Sequence, residues 1–509
     1  MEKRRRHMSG RSKDRLPGKI ITAVLGVAAL VFVCLLVYTR MVPGMYMGAI
    51  CLGLAVLVLV TGLLVWKFHH LVRFIIGTIL AVVLIVAMGF GGLYIYRTTT
   101  ALDTISGVNT EVARVAVYVK NDDAAENLND TKDYTYGVLK ELDRENTDAA
   151  LEKLDLEFVG DLKTKEYSGL TELIDGLEKG ETEAVLLNEA YLDILEEMEG
   201  YENLESEIRE VGVRDVETVI ERRDPVPSAE NNSGESGSAS AGKKEAGKVY
   251  TIFISGIDTR GGMTAKSRSD VNIIATVNTE TRQVLLVSTP RDFFVPLSIS
   301  NGVPDKLTHA GIYGVTVCMD TLSMLYDIDI NYYFRLNFGG FVNIIDALGG
   351  ITVQSDYDFD ASGYHFNKGE NQVNGEQALA FARERYAFSE GDRQRGRDQM
   401  HVIEGVIKKA MSPELLKNYS SILSGVEGSF ETNIPYEEIA LLIQSQLTRG
   451  GSWNVVSYSA NGTGDTQKPY SMSQKAYVMV PDQTTVDKAK TLMQAVRDGE
   501  TISAEDTAL

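Results

Sequence analysis

Positive charge is scarce in this chain: 50 Lys and Arg stand against 70 Asp and Glu, a formal net charge of -20. Nucleic-acid affinity rests on neutralising phosphates, so that deficit argues against a DNA- or RNA-binding protein. Cysteine is scarcer still. Cys34 and Cys51 lie in apolar runs near the N-terminus and Cys318 stands alone in the remainder. That distribution excludes an intramolecular disulfide framework after the apolar runs, and no zinc-type cysteine spacing exists. The six histidines, with His69 and His70 adjacent, show no ligand spacing, and no histidine metal cluster is expected.

Long apolar runs are present. Residues 20–38, 44–66 and 71–96 are each near the ~20 residues that an α-helix needs to cross the hydrocarbon core. The first is not a cleaved signal peptide, because two more spans follow at once. Basic residues crowd the tail before them (Lys3, Arg4, Arg5, Arg6, Arg11, Lys13, Arg15, Lys19) and recur in the second hairpin (Lys67, Arg73), while the first hairpin has only Arg40. The positive-inside rule puts the tail and second hairpin in the cytoplasm, so everything after about residue 97 is expected outside the cell membrane.

The expected organisation is a basic cytoplasmic tail (1–19), three transmembrane helices (20–96), an acidic α/β accessory domain (97–224), a flexible Pro/Gly/Ser-rich linker (225–248), a larger α/β domain (249–480) and a C-terminal tail (481–509) holding a helix and a loose end. In the accessory part, 112–119 reads as a strand, and 147–156 and 183–210 as helices, the latter with its carboxylates on a solvated face. In the larger domain, 249–255, 271–277, 283–288 and 453–459 read as strands. Stretches 338–348, 375–382, 393–411 and 436–447 read as helices, giving a central, mainly mixed β-sheet flanked by helices.

Within that domain acidic residues and arginines recur together at the ends of apolar runs: Asp258-Thr-Arg260, Arg268-Ser-Asp270, Pro-Arg291-Asp292, Arg383-Glu-Arg385, and Asp392 through Arg395 to Gln399. Arginine suits a bidentate grip on phosphate, and nearby carboxylates can hold a divalent cation between themselves and that phosphate. Asp258 follows an apolar strand and a glycine, and Asp270 precedes the next strand. Arg395 and Gln399 are four apart on one helical face, opposite Met400, Ile403, Val406, Ile407 and Met411, with Asp392 placed to cap that helix.

These segments, with Asp305-Lys306-Leu-Thr-His309-Ala-Gly and Gly375-Glu-Gln-Ala-Leu-Ala-Phe-Ala-Arg383, resemble the LytR–CpsA–Psr family in order and spacing over about 249–412. The three spans and accessory domain resemble its capsule-type members. One departure is Arg397-Asp398-Gln399, where many relatives carry Arg-Gln-Gln.

The resemblance implies a membrane-bound phosphotransferase of a Gram-positive bacterium that moves a polyprenyl-pyrophosphate-linked glycopolymer, capsular or exopolysaccharide, onto peptidoglycan through a phosphodiester. It implies Mg²⁺, with Mn²⁺ as an alternative, on Asp258 and Asp270. Arg268, Arg291, Arg383, Arg385 and Arg395 would grip the pyrophosphate, with Gln399 completing the polar shell, and Asp270 and Arg291 are the catalytic candidates. Phe338, Phe341, Val342 and Ile345 are candidates for an apolar slot for the polyprenyl tail. The expected partners are the lipid-linked glycan, peptidoglycan, the membrane and capsule-assembly proteins. The alternative is a polyprenyl-phosphate-binding sensor or regulator, or a pyrophosphatase.

Overall fold

The computed structural model describes residues 16–39, 44–66, 71–106, 110–158, 160, 162–220, 249–257, 262, 264–412, 426 and 428–507. They divide into two compact units. One contains three apolar helices, α1 (Leu16–Thr39), α2 (Gly44–Val65) and α3 (Leu71–Ser106), all long and apolar enough to cross a membrane. The expected helix at 436–447 is also present, as Tyr436–Arg449. The stretches expected as tail (1–15) and linker (225–248) lie outside the described residues.

The other unit is built on two sheets. The first has the order β3-β2-β4-β1-β5, from β1 (Thr110–Lys120), β2 (Thr135–Leu139), β3 (Lys163–Tyr167), β4 (Ala184–Asn188) and β5 (Ile208–Val219). Strands β2, β3 and β4 run parallel, and β1 is antiparallel to β4 and β5. The expected helix over 183–210 is corrected here. Residues 184–188 form the strand β4, buried throughout, and only short turns of helix separate it from β5. A strand apolar on both faces has no alternation to set it apart from a helix.

The second sheet is mixed, in the order β16-β11-β6-β7-β8-β17. Its strands are β6 (Val249–Ile257), β7 (Ser269–Asn278), β8 (Gln283–Ser288), β11 (Tyr332–Leu336), β16 (Phe430–Thr432) and β17 (Asn454–Ser459). Successive residues of the central strands face opposite layers. Phe253, Ile274, Leu285 and Val287 join a core with Val315, Leu322, Val486, Leu492 and Val496, while Ile273, Ala275, Val284 and Leu286 join Met400. Strands covered on both sides read as continuous apolar runs, which is why the sequence reveals them. The covering helices are α4 (Val315–Tyr326) and α7 (Gln483–Arg497) on one face and α6 (Asp392–Ala410) on the other. The segment expected as a C-terminal tail is thus part of the core through α7.

Four ribbons complete the unit: β9 (Phe294–Pro296) with β10 (Pro304–Lys306), β12 (Ile351–Ser355) with β15 (Gly369–Val373), β13 (Phe359–Ala361) with β14 (Tyr364–Phe366), and β18 (Gly462–Gln467) with β19 (Ala476–Pro481). Asn337 caps the apolar helix α5 (Phe338–Ala347) by accepting from Gly340 N at 2.8 Å. There the helix presses so close to residue 429 that a Cβ on Gly340 would lie 1.7 Å from Ser429 O.

The two sheets are joined by buried charge. Arg335 of β11 donates to Glu111 of β1 and to Glu431 of β16, and Glu111 also accepts Val315 N at 3.0 and 3.1 Å. Burial pushes the Glu431 carboxyl up, against the pull of Arg335.

Candidate active site

Ile257, at the end of β6, pairs with Ser269 at the start of β7, so these strand ends form one edge. Asp270 follows directly. Its Oδ1 forms an ion pair with Arg291 NH1 at 2.8 Å and accepts from the Thr308 hydroxyl at 3.1 Å. Arg291 arrives on the turn after β8, behind Pro290, which restricts that turn. Thr308 follows Lys306, the last residue of β10.

The cations here converge on an acid from the other sheet. Glu197 follows the short helix Leu192–Leu195. Its Oε1 lies 2.6 Å from Arg268 NH1 and 3.5 Å from Arg291 NH2, and its Oε2 lies 2.7 Å from Lys306 Nζ. Asp193 adds a contact to Arg268 Nε at 3.3 Å, and Asp292 lies 3.8 Å from both Arg291 Nε and Lys306 Nζ. The Glu197 side chain keeps only 28% of its accessible surface, and that of Lys306 only 6%. Burial alone would raise the Glu197 carboxyl, but Lys306 and Arg268 outweigh it and leave it below the usual glutamate range. For Arg291, burial pulls the guanidinium down and Asp270, Asp292 and Glu197 more than offset it. Burial holds the Asp292 carboxyl up in spite of Arg291 and Lys306.

A cleft adjoins this cluster, lined by Asp270, Arg291, Asp392, Arg395, Gln399 and Asn461 among others. Arg395 pairs with Asp392 at the start of α6. Gly391, at φ 54°, occupies the capping position, so Asp392 is the first helical residue rather than the expected cap. Gln399 Nε2 donates to Ala382 O at 3.3 Å, tying α6 to the end of the helix Gly375–Arg383.

The structure therefore brings Asp270, Arg291, Arg395 and Gln399 to one cleft and sets Arg268 beside Arg291 through Glu197. Arg383 and Arg385 are exposed and do not line the cleft: the Arg383 guanidinium lies over the Phe338 ring at 4.3 Å, and Arg385 donates to Tyr386 OH at 2.6 Å. Of the lipid-slot candidates, Phe338, Phe341 and Val342 are half-buried, whereas Ile345 is fully buried and packs within the protein. Asp258 lies outside the described residues. The oxygen donors at Asp270 and Thr308 suit a hard cation such as Mg²⁺ or Mn²⁺.

Three participants were not singled out in the sequence. Lys306 and Thr308 lie in the motif 305–311, where the family resemblance was the available signal. Glu197 was read with its neighbours as part of a solvated face, and local sequence holds nothing to distinguish it. Asp356, Asp398 and His401, which local sequence does not group, bring one ligand atom each within 4.8 Å of one another.

The family model described as the LytR_cpsA_psr family matches residues 215–495. The polyisoprenyl-teichoic acid–peptidoglycan teichoic acid transferase TagU of Enterococcus faecalis is 36% identical over 192 residues, which cover 37% of this chain and 63% of that relative. TagU of Bacillus cereus is 34% identical over 224 residues, covering 44% of this chain and 71% of its own length. The crystal structure of Bacillus subtilis TagV aligns with 51% of this chain and all of its own, at 27% identity and a TM-score of 0.43.

Proposed function

Since the chain belongs to the LytR_cpsA_psr family, we propose that it transfers a glycopolymer from a polyprenyl-diphosphate carrier to a peptidoglycan hydroxyl. The acceptor oxygen attacks the phosphorus that bears the glycan. The bond from that phosphorus to the bridging oxygen breaks, polyprenyl phosphate leaves with the electron pair, and the hydroxyl proton passes to a carboxylate, for which Asp270 stands at the cleft. Capsular or exopolysaccharide polymer and the teichoic acid named for the relatives are both donors of this chemical class.

The observation that carries the reading is the convergence of Arg268, Arg291 and Lys306 on a single anionic group beside a cleft holding Arg395. Phosphoryl transfer asks a protein for positioning and charge neutralisation more than for covalent chemistry. Asp270, with Asp258, would hold Mg²⁺ or Mn²⁺, which when bound would offset diphosphate charge. Three apolar helices suit a donor that is itself a lipid, and the basic tail supports an exterior site.

The test is the full chain in detergent, given a lipid-linked glycan and peptidoglycan. Polymer should become attached and polyprenyl phosphate released, and Asp270→Ala and Arg291→Ala should each lower the rate on the order of 10²-fold or more. Release of polyprenyl phosphate without attachment would indicate a pyrophosphatase, and donor binding without turnover a sensor. Full activity in both variants refutes the site.

A further inference from the structure

We propose that Asp356, Asp398 and His401 form a binding site for one divalent transition-metal ion, with Zn²⁺ the best fit to two carboxylates and an imidazole. None of the three lines the catalytic cleft. Asp356 follows β12, while Asp398 and His401 lie three apart on α6 and so share a face. Their ligand atoms lie within 4.8 Å of one another. Tetrahedral zinc with bonds of about 2.1 Å spaces its ligands by roughly 3.4 Å, so small side-chain rotations close the site.

The cluster also leaves polar atoms unsatisfied. Asp398 is 0% exposed and its Oδ2 has no hydrogen-bond partner, and His401 Nδ1 is likewise buried without one. Unpaired buried polar atoms are rare and call for a missing partner. Gln394 Nε2 occupies the other oxygens, donating to Asp398 Oδ1 at 2.9 Å and to Asp356 Oδ2 at 3.0 Å. Among the described residues, the cation facing the group is Arg397, with Nε 3.7 Å from Asp356 Oδ2, and it is engaged by Glu390 and by Gln394 Oε1. A bound ion would fasten α6, which carries Asp392, Arg395 and Gln399, to the turn after β12.

The experiment uses the full chain in detergent, stripped with chelator and then dialysed. Zn²⁺ binding is followed by calorimetry, and Co²⁺ by its visible d–d absorption. The Asp270→Asn protein, with this site intact, should bind Zn²⁺ and show the nitrogen-influenced Co²⁺ spectrum. Adding Asp398→Asn, nearly isosteric, or His401→Gln should weaken Zn²⁺ at least tenfold and abolish that spectrum, with circular dichroism confirming the fold. Absence of Zn²⁺ binding in the Asp270→Asn protein overturns the proposal without touching the site, leaving water or a proton as the occupant. Unchanged affinity in both added variants overturns it as well. Transfer activity is not the readout, so failure here leaves the proposed function standing.

Discussion

Replacing Glu197 by glutamine removes one negative charge from between three cations while keeping the side chain's size. Two charge-assisted hydrogen bonds are lost, at 2.6 and 2.7 Å, with a longer contact to Arg291 at 3.5 Å. Bonds of that kind contribute about 1.5–3 kcal/mol each. Glutamine is cheaper to bury than glutamate and water reaches part of the site, so the net loss comes to ~2–3 kcal/mol. The same energy opposes any anion that must displace the carboxylate. Since ~1.4 kcal/mol is a factor of ten, Glu197→Gln should bind inorganic pyrophosphate roughly 30- to 140-fold more tightly than the wild type. Thermal unfolding of the full chain in detergent reads both effects, as a lower Tm without ligand and a larger rise with pyrophosphate. The Glu197 carboxyl lies below its ordinary range, so its stabilisation is present above the unfolded value, about 4.3, and is lost as pH falls through the lower folded value. Variant and wild type should therefore differ in Tm at pH 7 and converge in strong acid. Equal or weaker pyrophosphate binding by Glu197→Gln would refute the view that its carboxylate stands where a phosphate goes.

Two further substitutions probe the scaffold. Arg335→Met strands Glu111 and Glu431 in the interior, where the Arg335 side chain is only 3% exposed, and should cost about 3–5 kcal/mol by urea denaturation; a loss under ~1 kcal/mol would show that the triad does not hold the sheets. Gly340→Ala brings a methyl 1.7 Å from Ser429 O, a backbone atom that cannot rotate aside, so at least ~2 kcal/mol of destabilisation is expected, and an unchanged midpoint would contradict the packing.

The larger sheet was legible where burial is two-sided: β6, β7 and β8 are continuous apolar runs. The same property concealed β4, whose five buried residues carry no period-two signal and merged with the acidic run after them. Strands β11 and β16 were not anticipated, because short pairings such as Phe334 with Thr432 rest on contacts remote in sequence. At the site, Asp270, Arg291 and Arg395 declared themselves by chemistry and motif. Glu197 did not, because its partners Arg268 and Lys306 are 71 and 109 residues away. Asp392 was placed one position off, because Gly391 adopts a positive φ and takes the cap.

The buried Glu111–Arg335–Glu431 link also limits how the anion position can be vacated. A hinge between the two sheets would have to part Arg335 from Glu111 in a region nearly closed to water, and would strip Val315 N of its acceptor as well. Such an opening would be costly. What is left free to move is the Glu197 side chain itself, because Ile194, Leu195 and Met198 around it are buried in the core. Under the proposed function, admitting the donor would then require only that the carboxylates of Asp193 and Glu197 swing aside, a side-chain rotation on the picosecond-to-nanosecond scale, while the framework beneath stays still.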